Sequence, residues 1–260
     1  MTASLRDIKV YTTFPHPCSY LPGREATTLF IDPRQNISRE LYTRLSEIGF
    51  RRSGDHVYRP HCARCTACIP SRVPIAAFTR SRGLERIWRR NQDLVVEEVD
   101  SIFDNEAFGL YQRYIEGRHA DGDMHPPDRE QYQAFLNNGL NCTRYFTIRE
   151  SGTLIAVIVS DAMNDGLSAI YTFYSPDEHQ AKRSLGTFAV LYQLELARQL
   201  GLEYVYLGYW IQNCDKMNYK ARFKPLELFI AGNWQRREQL PMGGDVTGHD
   251  IPLKMIDELL

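Results

Sequence analysis

Three closely spaced apolar strands constrain the fold of this 260-residue chain more than any other feature. They are predicted over Thr143–Ile148, Leu154–Ser160 and Ser168–Tyr174, where β-branched and aromatic residues dominate. The short polar segments between them contain Gly152 and Gly166, and this composition is typical of hairpin turns. The pattern therefore predicts an antiparallel sheet in the second half of the chain.

A long amphipathic helix follows these strands. Over Ser184–Leu200, Leu185, Phe188 and Tyr192 fall on one stripe, and Gly201 is a typical helix stop. A strand at 204–207 comes next. Antiparallel strands, a helix and a further strand indicate a mixed α/β (α+β) layer, and the chain shows no internal repeat.

The rest of the chain contains weaker signals. The other predicted elements are a strand at Leu29–Ile31, a helix at Ser38–Ile48 capped by Ser38 and ended by Gly49, a strand at Val73–Phe78, and helices at Asn105–Glu116 and Asp128–Leu136. We therefore expect an N-terminal domain at 1–100, a second domain at 101–240 and a C-terminal tail at 241–260.

Composition excludes several classes of protein. The formal net charge is -1, so any nucleic-acid contact must depend on a local basic surface. The sequence lacks a run of about 18 apolar residues, which argues against a membrane span. Its first residues also lack the apolar run of a signal peptide. A cytoplasmic protein is the expectation, and three clustered thiols then favour metal or redox chemistry over disulfides.

The cysteine cluster is a candidate metal site. Cys62, Cys65 and Cys68 stand three residues apart, and Cys18 completes a set of four soft ligands. Four thiolates suit a structural zinc ion or an iron–sulfur cluster. The alternative is a group of ordinary reduced thiols near a turn, and Cys142 and Cys214 are interpreted as buried filler.

A run of arginines is the candidate nucleic-acid surface. Five arginines oppose the single acid Glu85 in this segment, and they are Arg80, Arg82, Arg86, Arg89 and Arg90. Guanidinium groups bind phosphate bidentately, and Trp88 is placed to stack on an unpaired base. The run indicates RNA binding, while a solvated charged face is the alternative.

Longer motifs near both ends of the chain resemble one enzyme family. They are Cys18–Arg24, Tyr58–Cys62, Asp165–Tyr174, Arg183–Phe188, Tyr206–Ile211 and Lys216–Pro225, ending near Trp234. Together they are similar to the arginyl-tRNA–protein transferase family, above all its bacterial members that transfer leucine.

The resemblance implies a catalytic domain with a GNAT-like acyltransferase fold, preceded by a smaller mixed domain that carries the cysteine cluster. It implies transfer of leucine from charged tRNA to proteins with N-terminal Asp or Glu, in an N-degron pathway, with no cofactor required for the chemistry. Arginine as the donor amino acid and a non-enzymatic RNA-binding adaptor are the alternatives.

The site residues are assigned on that basis. Asp161, at the end of an apolar strand, is the hypothetical proton-handling group, and a turn-forming Asp is the alternative. An acidic acceptor requires a fixed cation. The candidates from the most distinctive motif are Lys216, Lys220 and Arg222, with Tyr219 as a second catalytic residue and Tyr171 and Tyr174 as pocket walls.

One acetyltransferase signature is incomplete. Arg183 and Gly186 match a pattern that holds a coenzyme A pyrophosphate at a helix start, but Phe188 stands where a small residue is usual. We expect this ring to crowd a pyrophosphate. The departure therefore disfavours an acyl-CoA-dependent N-acetyltransferase and favours a tRNA 3′ end as donor.

Overall fold

The computed structural model describes residues 8–137 and 139–240, so the predicted tail at 241–260 lies outside it. The strands are β1 (Val10–Thr12), β2 (His16–Pro17), β3 (Glu25–Ala26), β4 (Thr28–Ile31), β5 (Arg51–Ser53), β6 (His56–Pro60), β7 (Ile69–Pro74), β8 (Val95–Val99), β9 (Thr143–Glu150), β10 (Thr153–Ala162), β11 (Gly166–Tyr174), β12 (Tyr204–Trp210), β13 (Glu227–Ile230) and β14 (Asn233–Arg236). The α-helices are α1 (Arg39–Glu47), α2 (Arg82–Arg90), α3 (Asn105–Arg118), α4 (Arg129–Leu136), α5 (Glu178–Ala181), α6 (Leu185–Gln199) and α7 (Asp215–Asn218), with 3-10 turns at Ile75–Ala77, Tyr219–Arg222 and Arg237–Gln239.

Most of the predicted elements are confirmed. The side chain of Ser38 accepts a hydrogen bond from the Leu41 amide at 3.2 Å and so begins α1, as expected for an N-cap. Gly49 follows that helix at φ +92°, a conformation that other residues rarely adopt. The predicted strand at Val73–Phe78 is wrong beyond Pro74, because the chain turns into a 3-10 helix at Ile75–Ala77.

Two main sheets form the scaffold. A four-stranded antiparallel sheet has the order β1-β4-β6-β5, and an eight-stranded mixed sheet has the order β14-β13-β7-β12-β11-β10-β9-β8. The latter carries α2 and α6 on one face and α3 and α4 on the other, where separate apolar clusters form. The mixed α/β class predicted from the sequence is therefore confirmed.

The expected domain boundary near residue 100 does not separate the two sheets. Strand β7 is inserted between β12 and β13, and β8 forms the edge beside β9, so residues 69–99 belong to the larger sheet. The reason is the apolar composition of β7, whose Ile69 and Val73 are fully buried. The division between the sheets lies between Pro60 and Ile69.

Strands β11 and β12 are the parallel pair of the larger sheet, and their pairing is short. It runs from Gly166 opposite Tyr204 to Ser168 opposite Tyr206, yet β11 continues to Tyr174 and β12 to Trp210. The two backbones therefore part, and the strand gap between them opens toward the start of α6.

The described helices include none that combines the length and the apolar character needed to cross a bilayer.

Candidate active site

Four aromatic side chains gather beside the strand gap, and we call them the tyrosine cluster: Tyr114, Tyr171, Tyr174 and Tyr219. The ring centroid of Tyr114 lies 5.0 Å from that of Tyr174 and 6.3 Å from that of Tyr171. Burial, together with the neighbouring Tyr174 phenol, raises the pKa of Tyr219 to about 12. The structure therefore brings together the three tyrosines that the sequence predicted, and it adds Tyr114 from α3.

Local backbone explains how Tyr174 and Tyr219 reach the same place. Tyr174 ends β11, and a Cβ placed on Gly186 would lie only 3.1 Å from its ring, so a glycine at the start of α6 lets the ring approach. Tyr219 begins the 3-10 turn after α7 and remains 41% exposed. The residue is therefore partly accessible, although its phenol group is desolvated enough to have a raised pKa.

The sequence predicts Lys220 as a contact to a substrate carboxylate or to the tRNA end, but the structure buries this side chain. The helix α7 gives way to a 3-10 turn at Tyr219, so Lys216 and Lys220 do not share a face. Lys220 is 4% exposed, and its Nζ donates a hydrogen bond of 2.7 Å to the Tyr209 carbonyl oxygen. Burial lowers the pKa of Lys220 to about 7. A direct contact with a substrate carboxylate is therefore not supported.

The other two predicted cations have different environments. Lys216 is exposed, and its Nζ lies 3.3 Å from both carboxylate oxygens of Asp121. Arg222 is exposed and donates a hydrogen bond of 3.3 Å to the Thr187 hydroxyl, in the first turn of α6. Lys216 therefore lies near the tyrosine cluster in an ion pair with Asp121, while Arg222 lies beside the first turn of α6.

Asp161 is placed in a buried ion pair. Both its side chain and that of Arg52 are 0% exposed, and the guanidinium donates to the two carboxylate oxygens at 2.6 and 2.8 Å. The Thr143 hydroxyl donates to the same carboxylate at 2.8 Å. Asp161 is five residues along β10 from Ala156, the partner of Tyr174, or roughly 16 Å. This position does not support the predicted proton-handling role.

A second feature, the cysteine cavity, adjoins the far end of β12. Its volume is about 230 Å³, and its walls include the four predicted ligands, which are Cys18, Cys62, Cys65 and Cys68, together with Tyr209. Burial and the neighbouring thiols raise the pKa of Cys68 to about 12. The structure therefore brings the four predicted sulfurs to one cavity.

The sulfurs do not form a ligand set as they stand. Cys62 Sγ lies 3.6 Å from the Thr27 carbonyl oxygen, and Arg24 donates to Cys65 Sγ at 3.5 Å. Across residues 8–137 and 139–240, no three His, Cys, Asp or Glu side chains are arranged to hold a metal ion. The thiols suit a soft metal chemically, but this arrangement does not fit one without a local change.

The predicted RNA surface is helix α2. Its Arg82, Arg86 and Arg89 side chains are exposed, with Arg89 also 2.8 Å from Glu85 in an i,i+4 pair. Arg90 donates to the Lys182 carbonyl oxygen. Arg80 is held instead by Glu195 at 2.8 Å and is therefore poorly placed for phosphate.

Two aromatic residues of this region are structural. Trp88 packs against Phe188 with a centroid distance of 5.6 Å, and Phe188 is 2% exposed. The expectation that the Phe188 ring crowds the helix start is therefore wrong, because the ring points into the core and joins α2 to α6. Trp88 is likewise occupied by packing and is not presented for stacking on a base.

Comparison with known proteins identifies the chain. Residues 16–86 match the model of the arginine-tRNA-protein transferase N terminus, and residues 106–230 match that of its C terminus. The chain belongs to the arginine-tRNA-protein transferase family. It is therefore an aminoacyl-tRNA–protein transferase, and an acyl-CoA-dependent enzyme or an adaptor without activity is not favoured.

Relatives in this transferase family are similar over most of their length. An aspartate/glutamate leucyltransferase of Pseudomonas fluorescens strain Pf0-1 is 55% identical over 230 residues, which are 88% of this chain and 97% of the relative. That of Stutzerimonas stutzeri strain A1501 is 54% identical over 231 residues, 89% of this chain and 97% of the relative. Among solved structures, FemX matches with a TM-score of 0.45 and 10% identity over 82% of each chain.

Besides Tyr114, a second residue of the site, Arg118, was missed by sequence reasoning. Arg118 ends α3, and its Nη2 donates a hydrogen bond of 3.2 Å to the Tyr174 hydroxyl. A cation in the last turn of a helix is unremarkable, because it complements the helix dipole. Only the contact with a residue 56 positions later places Arg118 at the tyrosine cluster.

Proposed function

We propose that this transferase moves leucine from leucyl-tRNA to the N-terminal α-amine of proteins that begin with Asp or Glu, marking them for degradation. The single observation that carries the proposal is the 55% identity, over 88% of the chain, with a relative named aspartate/glutamate leucyltransferase. The tyrosine cluster beside the strand gap supports it, because it is an accessible aromatic site at the start of a helix.

The chemistry asked of such a site is modest. The neutral acceptor nitrogen attacks the ester carbonyl, an amide bond forms and the ester C–O bond breaks. The nitrogen loses one proton and the leaving ribose oxygen gains one, so a group that donates to the ribose oxygen is reprotonated by the proton from the nitrogen. An α-amine has a reference pKa of about 7.7–8.0, so part of it is neutral near pH 7. Positioning of the two substrates can contribute roughly 7–11 kcal/mol in favourable systems.

Tyr219 is the proposed proton donor to the leaving ribose oxygen. Its raised pKa of about 12 keeps the phenol protonated at neutral pH, and its exposed ring allows contact with a substrate. Replacing Tyr219 with Phe should lower kcat by roughly 100-fold or more, the usual size of a general-acid contribution. Tyr11→Phe, an exposed tyrosine on β1, is the matched control. An unchanged kcat in Tyr219→Phe removes the phenol from the mechanism.

The finer fold assignment is a GNAT-like acyltransferase domain. It is supported by the parallel β11–β12 pair, whose strands part next to the start of α6, since a gap of this kind gives an acyl donor access to backbone groups. The chain would then use the gap for the aminoacylated 3′ end of tRNA. This assignment predicts protection of Gly186 and its neighbours from amide exchange when charged tRNA is bound.

Helix α2 is the proposed track for tRNA phosphates. Of its arginines, Arg82 and Arg86 are exposed and form no ion pair among the described residues. A double Arg82→Ala/Arg86→Ala variant should weaken tRNA binding and reduce the slope of log K against log salt by about 1.5. The matched control is Arg39→Ala/Arg113→Ala, which removes two exposed arginines from α1 and α3. Equal slopes for both variants would place the phosphate track elsewhere.

A structural zinc ion or an iron–sulfur cluster at Cys18, Cys62, Cys65 and Cys68 stays a prediction. It is supported by the shared cysteine cavity. Elemental analysis and absorption spectra of protein purified without oxygen test it, with Cys142→Ala as control and Cys65→Ala as the disrupting variant. Metal at less than stoichiometric amounts in the wild type contradicts the prediction.

The decisive experiment compares donors and acceptors. Purified protein is incubated with leucyl-tRNA or arginyl-tRNA and with peptides that differ only in a first residue of Asp, Glu, Lys or Ala. Transfer of leucine to the Asp and Glu peptides alone is expected. Transfer of arginine instead, or of leucine to the Lys peptide, contradicts the proposal.

A further inference from the structure

The cations around the tyrosine cluster are not equivalent. Lys220 is buried and bound to the Tyr209 carbonyl, and Lys216 already holds the Asp121 carboxylate. Burial and the Lys216 ammonium lower the pKa of His119, which disfavours the charged imidazole. None of these three groups therefore offers an uncommitted positive charge to a ligand carboxylate.

Arg118 differs from these three groups in its partners. It is exposed at the end of α3, and among the described residues it forms no ion pair with a carboxylate. Its Nη2 donates to the Tyr174 hydroxyl at 3.2 Å, and its guanidinium carbon lies 5.5 Å from the centre of the Tyr174 ring. These contacts orient a planar guanidinium beside the cluster while leaving its other donors open.

Such a group is shaped for a carboxylate. A guanidinium presents parallel N–H donors that match the two oxygens of a carboxylate, and it does so more specifically than an ammonium. Asparagine and glutamine have the same shape as aspartate and glutamate but present only one acceptor oxygen and no charge. An oriented arginine therefore discriminates the acids from their amides.

We propose that Arg118 binds the acidic side chain of the acceptor's first residue and sets the specificity of the transfer. The inference rests on the proposed function. Tyr114 and Tyr174, on either side of the α3–β11 contact, support the guanidinium, and the nearby Tyr219 is the side chain assigned to the reacting ester. The acceptor side chain and its α-amine would thus be held on two sides of one aromatic cluster.

The test measures kcat/KM for leucine transfer to peptide pairs that begin with Asp or Asn and with Glu or Gln. Arg118→Ala should lower kcat/KM for the acidic peptides by roughly 10- to 100-fold, as for loss of charged hydrogen bonds, and leave the amide peptides within about twofold. Arg118→Lys should restore part of the loss. Arg113→Ala, an exposed arginine five residues earlier on α3, should retain the wild-type preference.

The outcomes separate the two proposals. If the wild type transfers no leucine to the Asp peptide, the proposed function fails. If the wild type does so but Arg118→Ala keeps the same Asp-to-Asn ratio, only the assignment of Arg118 is overturned. If Arg222→Ala instead loses the preference for the Asp peptide over the Asn peptide, Arg222 is the residue that binds the acidic side chain.

Discussion

Two of the buried cations, Arg52 and Lys220, lie in different regions of the interior, and their surroundings differ. Arg52, between the two sheets, is paired with Asp161 at 2.6 Å and further satisfied by backbone oxygens. Lys220, near the end of β12, has a backbone carbonyl and the Met217 sulfur as its hydrogen-bond partners. The first cation is neutralised by a carboxylate. The second has no carboxylate partner among the residues that the structure describes, and burial lowers its pKa to about 7.

The comparison shows that a buried cation can either join two parts of the fold through an ion pair or lose its proton near neutral pH. A neutralised pair joins elements that lie far apart in sequence, here β5 and β10, and breaking it leaves one charge without a partner. A buried lysine without a carboxylate can instead give up its proton near neutral pH. The two regions should therefore respond differently to mutation and to pH.

The largest effect is expected from breaking the neutralised pair. Arg52→Ala leaves the fully buried Asp161 carboxylate without its cation and should lower the free energy of unfolding by about 3–5 kcal/mol. Urea unfolding at pH 7 measures this loss. Arg89→Ala removes an exposed i,i+4 pair and should change the same quantity by less than about 1 kcal/mol. Equal losses in the two variants would contradict a structural role for Arg52.

The second prediction concerns the pH dependence of stability near Lys220. Its folded pKa of about 7 lies below the ordinary lysine pKa of 10.5, so between these values the unfolded chain binds more protons than the folded one. Stability contributed by this group therefore rises with pH from about 7 upward, by at most about 1.4 kcal/mol per pH unit. Unfolding experiments between pH 6.5 and 8.5 measure the slope.

Replacing Lys220 tests whether its titration causes the rise of unfolding free energy with pH. Lys220→Met keeps the length and apolar character of the side chain but cannot be protonated, so its unfolding free energy should lack this rise. Lys182→Met, at an exposed position, should keep the wild-type slope. A wild-type slope in Lys220→Met would show that another group titrates in this range.

The elements of the fold were largely predictable, but the roles of the charges were not. Periodicity and capping are local properties, so α1, α6 and the strands β9, β10 and β11 could be predicted from neighbouring residues. The insertion of β7 between β12 and β13 depends on pairing over more than 130 positions and leaves no local signal. The predicted boundary near residue 100 therefore does not coincide with the division between the two sheets.

The environments of the site residues were also hard to predict, because they too depend on contacts between distant parts of the chain. Tyr171, Tyr174 and Tyr219 belong to distinctive motifs and were predicted together, although their mutual contacts were not. Asp161 was given a catalytic role because it ends an apolar strand, and Lys220 a binding role because an acidic acceptor requires a fixed cation. Their actual environments depend on Arg52, 109 residues away from Asp161, and on the change from α-helix to 3-10 turn at Tyr219.

The smallest effect should come from a neutral hydrogen bond in the Lys220 region. The Tyr209 hydroxyl donates to the Gly49 carbonyl oxygen at 2.9 Å and lies 3.3 Å from the Tyr58 carbonyl oxygen, and Tyr209 is buried. Tyr209→Phe should lower the free energy of unfolding by about 1 kcal/mol, the usual net contribution of such a bond. Urea unfolding measures the loss.

This variant also distinguishes the effect of Lys220 titration from the effect of packing around Tyr209. The hydrogen bond from Lys220 uses the Tyr209 backbone carbonyl, which the substitution leaves in place. The rise of stability between pH 6.5 and 8.5 should therefore persist in Tyr209→Phe and disappear only in Lys220→Met. If Tyr209→Phe abolished the rise of stability with pH, the lowered pKa of Lys220 would depend on the packing around Tyr209. The contrast between Arg52 and Lys220 would then not follow from the presence or absence of a carboxylate partner.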